Sequence, residues 1–151
     1  MAYRKLGRTG ADVSVISLGA EHLVDKPLSL VKEVVEAMID YGANYIDVFT
    51  APAQVRDFIG KALKGKRDKV MLAGHLGATL TDDGQYERSR DPGRCIAHID
   101  DFLRRTGSEA VDVLMIHFVD EKEDAQGILA PGGLLDVAMD LQKQGKARFI
   151  G

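Results

Sequence analysis

The feature that most constrains this chain is a regular alternation of short β-branched runs with longer amphipathic stretches. Ile16 to Gly19, Tyr45 to Phe49, Val70 to His75, Val111 to Phe118 and Ala147 to Ile150 each read as a strand. Val111 to Phe118 is nearly continuous in apolar residues, as a strand buried on both faces should be. Between the strands, apolar residues recur at helical spacing. Leu30, Val31, Val34, Val35, Met38 and Ile39 form one stripe, with Ser29 as its capping residue and Gly42 as its end. Val55, Phe58, Ile59, Ala62 and Leu63 form a second stripe, which stops near Gly65. A third helix starts at Asp91-Pro92, a capping residue followed by proline at the first helical position. It carries Ile96, Ile99, Phe102 and Leu103, and Gly107 follows it. A fourth covers roughly residues 132–144 and ends at Gly145. Residues 3–16 read as a hairpin with turn signals at Gly7 and Thr9-Gly10, and residues 78–90 read as a polar loop.

Strands separated by helices of this length imply right-handed crossovers and a parallel sheet. An open doubly wound sheet and a barrel both satisfy that pattern. The GxGxxG phosphate loop that would favour the open sheet is absent. Asp47, His75 and His117 each interrupt an apolar strand near its carboxyl end, where barrel enzymes place their chemistry. The expected fold is therefore α/β, a (β/α)8 TIM barrel, here only its first four βα units plus strand five, preceded by a short β-hairpin. A complete barrel takes about 250 residues. Residues 1–151 thus read as the amino-terminal part of one barrel domain, apparently truncated. The uncovered interior of its first and fifth strands would invite self-association.

Composition narrows the function classes. The net charge of −3 gives no field that would draw in nucleic acid or an acidic membrane. The one basic cluster, Lys61, Lys64, Lys66, Arg67 and Lys69, falls around a helix end and reads as a solvated face. Cys95 is the only cysteine, so no intrachain disulfide and no cysteine-based metal site can form. It reads as a buried helix-face thiol. No apolar run suits a membrane span or a signal peptide, and the cytoplasm is the expected compartment.

A carboxylate at the end of a buried strand costs several kcal/mol to desolvate unless it is paired or performs a task. Three polar residues at one mouth point to a task, and Glu21 and His22 are expected to join the same rim. These residues lie in segments that resemble the aldo-keto reductases. Tyr3 to Gly10, followed by Val13-Ser14, is similar to that family's amino-terminal hairpin, and Ile16 to Ala20 to its first strand. Asn44-Tyr45-Ile46-Asp47 resembles the strand presenting its catalytic aspartate. Phe58 to Leu63 and Arg67 to Val70 match its second helix and the approach to its third strand. Val111 to His117 resembles the strand ending in its catalytic histidine, and Gly145 to Gly151 the approach to its fifth strand.

The resemblance implies hydride transfer between NADP(H) or NAD(H) and a small carbonyl substrate, with an Asp, Tyr, Lys and His tetrad. Asp47 and His117 fall on two of its positions. Pro52 falls on the tyrosine position and His75 on the lysine position. Proline handles no proton, so the ordinary mechanism cannot run from there. His75 could hold a positive charge or act as the acid, and Tyr86, in the long loop, is another possible donor. By resemblance, Gly19, Ala20, Glu21 and Asp47 contact the cofactor, and most other contacts lie beyond this chain. The variant pattern also resembles an anaerobe-type branch in which an iron–sulfur domain often follows the barrel. With no cluster cysteines here, such a cluster would sit beyond Gly151.

Two other readings stay open. Pro52 suits a barrel that binds nucleotide without turnover, as a regulatory protein would. Taken without the family, Asp47, His75 and His117 could form a two-histidine, one-carboxylate metal site.

Overall fold

The computed structural model describes residues 1–49 and 52–151. An antiparallel hairpin, β1 (Tyr3–Lys5) and β2 (Asp12–Ser14), precedes β3 (Leu18–Gly19) and a 3-10 turn over Ala20–Leu23. There follow α1 (Leu28–Asp40), β4 (Tyr45–Val48), α2 (Ala53–Ala62), a second 3-10 turn (Arg67–Lys69) and β5 (Met71–Leu76). A second hairpin, β6 (Ala78–Leu80) and β7 (Tyr86–Arg88), leads to α3 (Pro92–Thr106) and β8 (Val111–Ile116). The last elements are α4 (Lys122–Leu129), α5 (Leu134–Lys143) and β9 (Ala147–Ile150).

The sheet runs β3-β4-β5-β8-β9, and every neighbouring pair is parallel. A doubly wound sheet reverses its direction of growth at a switch point. This sheet never reverses, which is the winding a barrel requires.

Its two faces differ in what covers them. Ile46, Val48, Leu72, Leu76 and Leu114 pack in one cluster with Val31 and Val35 of α1, Ile59 of α2, Phe102 of α3 and Leu141 of α5. Burying each of these side chains contributes about 1.5–3 kcal/mol. Met71, Ala73 and Val113 face the other way, with Tyr45, Met115 and Phe149, against Leu6, Ala11 and Val13 of the first hairpin region. Side chains alternate along a strand with period two. Asp47 therefore shares the inner face with Tyr45, His75 with Ala73, and His117 with Val113 and Met115.

The lower end of the sheet is tied by polar groups. The Asn44 side chain accepts from the Ser14 N–H at 2.8 Å and donates to the Asp12 carbonyl at 2.9 Å, fixing the first hairpin to the start of β4. Asp112 is buried and accepts from Arg67 at 2.7 Å, Arg148 at 2.6 Å and the Leu72 N–H at 2.9 Å. Arg67 also donates to the Val70 and Ala110 carbonyls, so it is a clamp between strands and not part of a solvated face.

Other expectations need correction. Pro27, not Ser29, precedes the first residue of α1, and Ser29 lies inside its first turn with no capping bond. The polar loop at 78–90 is largely the hairpin β6–β7, closed by Thr81, whose hydroxyl accepts from the Gln85 N–H. Helix α4 has no signal in the sequence, because Lys122–Leu129 buries only Ile128 and so lacks an apolar stripe. Asp91 does cap α3, accepting from the Arg94 N–H at 2.7 Å, and Gly107 closes that helix in the left-handed region. Cys95 is buried, with its thiol pushed up by burial. No described helix is long and apolar enough to cross a membrane.

Candidate active site

Asp47, His75 and His117 meet because their strands are neighbours in register. Gly19 pairs with Asp47, Asp47 with Ala73, and His75 with Met115, while the His117 N–H donates to the Leu76 carbonyl at 2.9 Å. All three side chains thus rise from the carboxyl ends of β4, β5 and β8 on the inner face. They form a continuous row. His75 Nε2 lies 2.8 Å from Asp47 Oδ1, and His75 Nδ1 lies 3.2 Å from His117 Nδ1.

A fourth group extends the row. The Tyr86 hydroxyl of β7 lies 2.9 Å from His117 Nε2, and Tyr86 as a whole is 49% exposed. The hairpin carries it there because Gly77, with φ of +97°, turns the chain sharply after β5. A side chain at that position would meet the Arg90 guanidinium, with 2.6 Å from its Cβ to Arg90 Nη1. Arg90 in turn donates to the His117 and Phe118 carbonyls and is paired with both oxygens of Asp124. This fixes the backbone around His117, including Phe118 at φ of +53°.

Phe49 fills the space between the polar groups, with its ring centre 4.8 Å from that of His117 and 5.6 Å from those of His75 and Tyr86. Burial therefore pushes the His117 pKa down to about 4, aided by the charges of His75, Arg90 and Arg88 and opposed by Asp47. Tyr45, one step below Asp47 on the same face, is pushed up to about 12 by burial, Asp47 and Asp112, and is no ready acid.

The remaining expected residues are spread differently. Gly19 stands beside Asp47, and Ala20 is fully buried, so it offers the mouth no surface. Glu21 folds back over Gly19 and lies 3.7 Å from the largely exposed His22. Neither Glu21 nor His22 is hydrogen-bonded to the row, although Glu21 lies over Gly19, the strand partner of Asp47. Pro52 precedes the first residue of α2, and its carbonyl accepts from the Val55 N–H at 2.9 Å. The metal reading does not fit. Among the described residues no three His, Cys, Asp or Glu side chains are arranged to hold an ion, and both nitrogens of His75 are taken by neighbours.

The model of the Aldo/keto reductase family matches residues 15–151. The chain belongs to the aldo/keto reductase family. It is 29% identical to aldo-keto reductase YhdN of Bacillus subtilis (strain 168), across all of this chain and 46% of that protein. It is 24% identical to the L-glyceraldehyde 3-phosphate reductase of Escherichia coli (strain K12), across all of this chain and 44% of that one. The chain thus spans a little under half the length of these curated relatives. Among solved structures, an aldo-keto reductase from Bacillus halodurans in its holo form superposes over 100% of this chain and 49% of its own, with a TM-score of 0.79 and 22% identity. A Pseudomonas aeruginosa structure assigned to the same family superposes over 99% of this chain and 58% of its own, with a TM-score of 0.83 and 21% identity. Those two likenesses establish the fold: the five parallel strands are part of a (β/α)8 barrel.

In this aldo/keto reductase barrel Tyr86, a possible donor from the sequence, is brought to 2.9 Å from His117 Nε2 by the hairpin geometry. What the sequence missed is Arg90, which carries no periodic signal and ties down the backbone around His117.

Proposed function

We propose that this chain contributes the catalytic mouth of an oxidoreductase that reduces small aldehydes or ketones with NADPH or NADH. The observation that carries this reading is the hydrogen-bonded row of Asp47, His75 and His117 at the carboxyl ends of three adjacent strands. In a barrel of this family, that mouth is where substrate and nicotinamide meet. When bound, the reduced nicotinamide supplies the hydride that goes to the carbonyl carbon. The chain's own groups hold the carbonyl oxygen and manage its proton.

The residues present fit the nicotinamide end of such a cofactor. Gly19 pairs with Asp47, the Glu21 carboxylate folds over it, and the Asp47 side chain is 42% exposed. Gly19, Glu21 and Asp47 are the groups we assign to that contact; Ala20, fully buried, has no surface to offer it. Of the mouth's arginines, Arg88 pairs with Asp120 and Arg90 with Asp124, so they are committed within the protein. The phosphates then fall to the family's later strands. The phosphorylated aldehyde in the name of the Escherichia coli relative makes short aldehydes the first substrates to try.

The test is NADPH oxidation by the full-length protein with short-chain aldehydes, phosphorylated aldehydes and quinones. Turnover that falls by at least tenfold in Asp47→Asn is the expected result. Pro52 favours a second reading, nucleotide binding without turnover. Fluorescence titration with NADPH separates the two: binding without reduction supports the second, and absence of binding refutes both.

A further inference from the structure

We infer that Tyr86 is the proton donor of this site and that His75 supplies it with the proton through His117. This rests on the carbonyl-reduction reading above. The argument comes from which atoms can donate and which can accept along the row.

An ionised Asp47 only accepts, so His75 must carry a hydrogen on Nε2. A single hydrogen then sits between the two Nδ1 atoms, 3.2 Å apart. With His75 neutral, that hydrogen belongs to His117. His117 Nε2 is then bare, and Tyr86 must donate its hydroxyl hydrogen to it across 2.9 Å. In this state the phenol faces inward and has nothing to give a substrate. With His75 protonated, its Nδ1–H donates to His117 Nδ1. His117 then carries its hydrogen on Nε2 and donates to the Tyr86 oxygen. The phenol hydrogen is released to point into the mouth. One proton on His75 thus reverses the whole row and arms Tyr86.

The surroundings decide where that proton rests. His75 faces the Asp47 carboxylate from β4 and neutral His117 from β8. His117 faces His75 and two arginines, Arg88 on β7 and Arg90 just beyond it, with Asp47 farther along the row. The extra charge therefore belongs on His75, and the low pKa of His117 agrees with its staying neutral.

The step balances. The carbonyl carbon gains hydride from the reduced nicotinamide, so the substrate is reduced and the cofactor oxidised. As the C=O π pair moves onto oxygen, that oxygen takes the Tyr86 hydroxyl proton. The Tyr86 oxygen takes the His117 Nε2 proton, and His117 Nδ1 takes the one from His75 Nδ1. His75 is left neutral, still donating to Asp47. Water at the half-exposed Tyr86 reloads the row by the same path in reverse.

Two measurements on the protein test this. In 15N-histidine NMR, His117 should be the Nδ1–H tautomer at high pH and convert to Nε2–H as His75 takes its proton on acidification. A His117 that holds the Nε2–H form throughout overturns the relay. In steady-state reduction, Tyr86→Phe should lower kcat by about 10²–10⁴-fold with little change in KM. The wild-type kcat should fall as pH rises through the tautomer midpoint seen by NMR. Wild-type kcat in Tyr86→Phe, or a kcat independent of that midpoint, overturns the inference while leaving carbonyl reduction intact. The tautomer switch together with no reduction of any carbonyl refutes the proposed function instead, and Tyr86 with it as a catalytic residue.

Discussion

Asp112→Ala removes a carboxylate on which three donors converge at the lower end of the sheet. Arg67, Arg148 and the Leu72 N–H all lose an acceptor. Breaking a fully buried ion pair from one side costs about 3–5 kcal/mol. Here the Arg67 side chain is 30% exposed and that of Arg148 61%, so water recovers much of the charge, nearly all of it at Arg148. The orphaned Leu72 N–H adds roughly 1–3 kcal/mol, because it sits where a strand bond would otherwise be made. Arg67 keeps its bonds to Val70 and Ala110, which limits the collapse. Together these place the loss at about 2–4 kcal/mol. Asp112→Asn retains an acceptor for Leu72 and should lose roughly half as much. Urea unfolding followed by circular dichroism measures both, with unchanged m-values expected. The corresponding fall in Tm is roughly 5–15 °C for a domain of this size. If Asp112→Ala lies within about 0.5 kcal/mol of wild type, the clamp is not what closes this end of the sheet.

Other outcomes follow from the packing and from two desolvated histidines. A Cβ at Gly60 would meet the Arg105 carbonyl at 2.6 Å and Thr106 Cα at 2.8 Å, both backbone. Gly60→Ala must therefore push α2 from α3 and should cost about 1–3 kcal/mol; an unchanged thermal midpoint would contradict that contact. His98, half-buried on α3, is lowered from 6.5 to about 4 by desolvation and by Arg56, with Asp101 opposing, and His117 is lowered to about 4 as described. The unfolded chain takes up these protons first as pH falls. The stability held by the neutral forms is therefore complete above about pH 6.5 and is lost progressively towards pH 4. Urea midpoints from pH 7 to 4.5 should show this slope, and His98→Gln should flatten it; an equal slope in that variant would refute the assignment.

The sequence by itself determined the repeating βα plan and the inward aim of the chemistry. Period-two alternation in β4 and β5 puts Asp47 and His75 on one face, and the apolar stripe of α1 requires something to cover. Those are local properties, set by the geometry of single elements, and they also carry the family resemblance. The polar segment 78–90 was opaque because a short hairpin with exposed turns needs no apolar pattern. Likewise Arg67 looks like a surface charge until β5, β8 and β9 are laid side by side and Asp112 becomes its partner. Tertiary structure alone decided that the strands grow in one direction and that Arg90 ties the loop after β8. It also decided that Tyr86 comes within 2.9 Å of His117. Hydrogen bonds between residues 31 positions apart have no signature in the spacing of a chain. They exist only because packing has already fixed both ends.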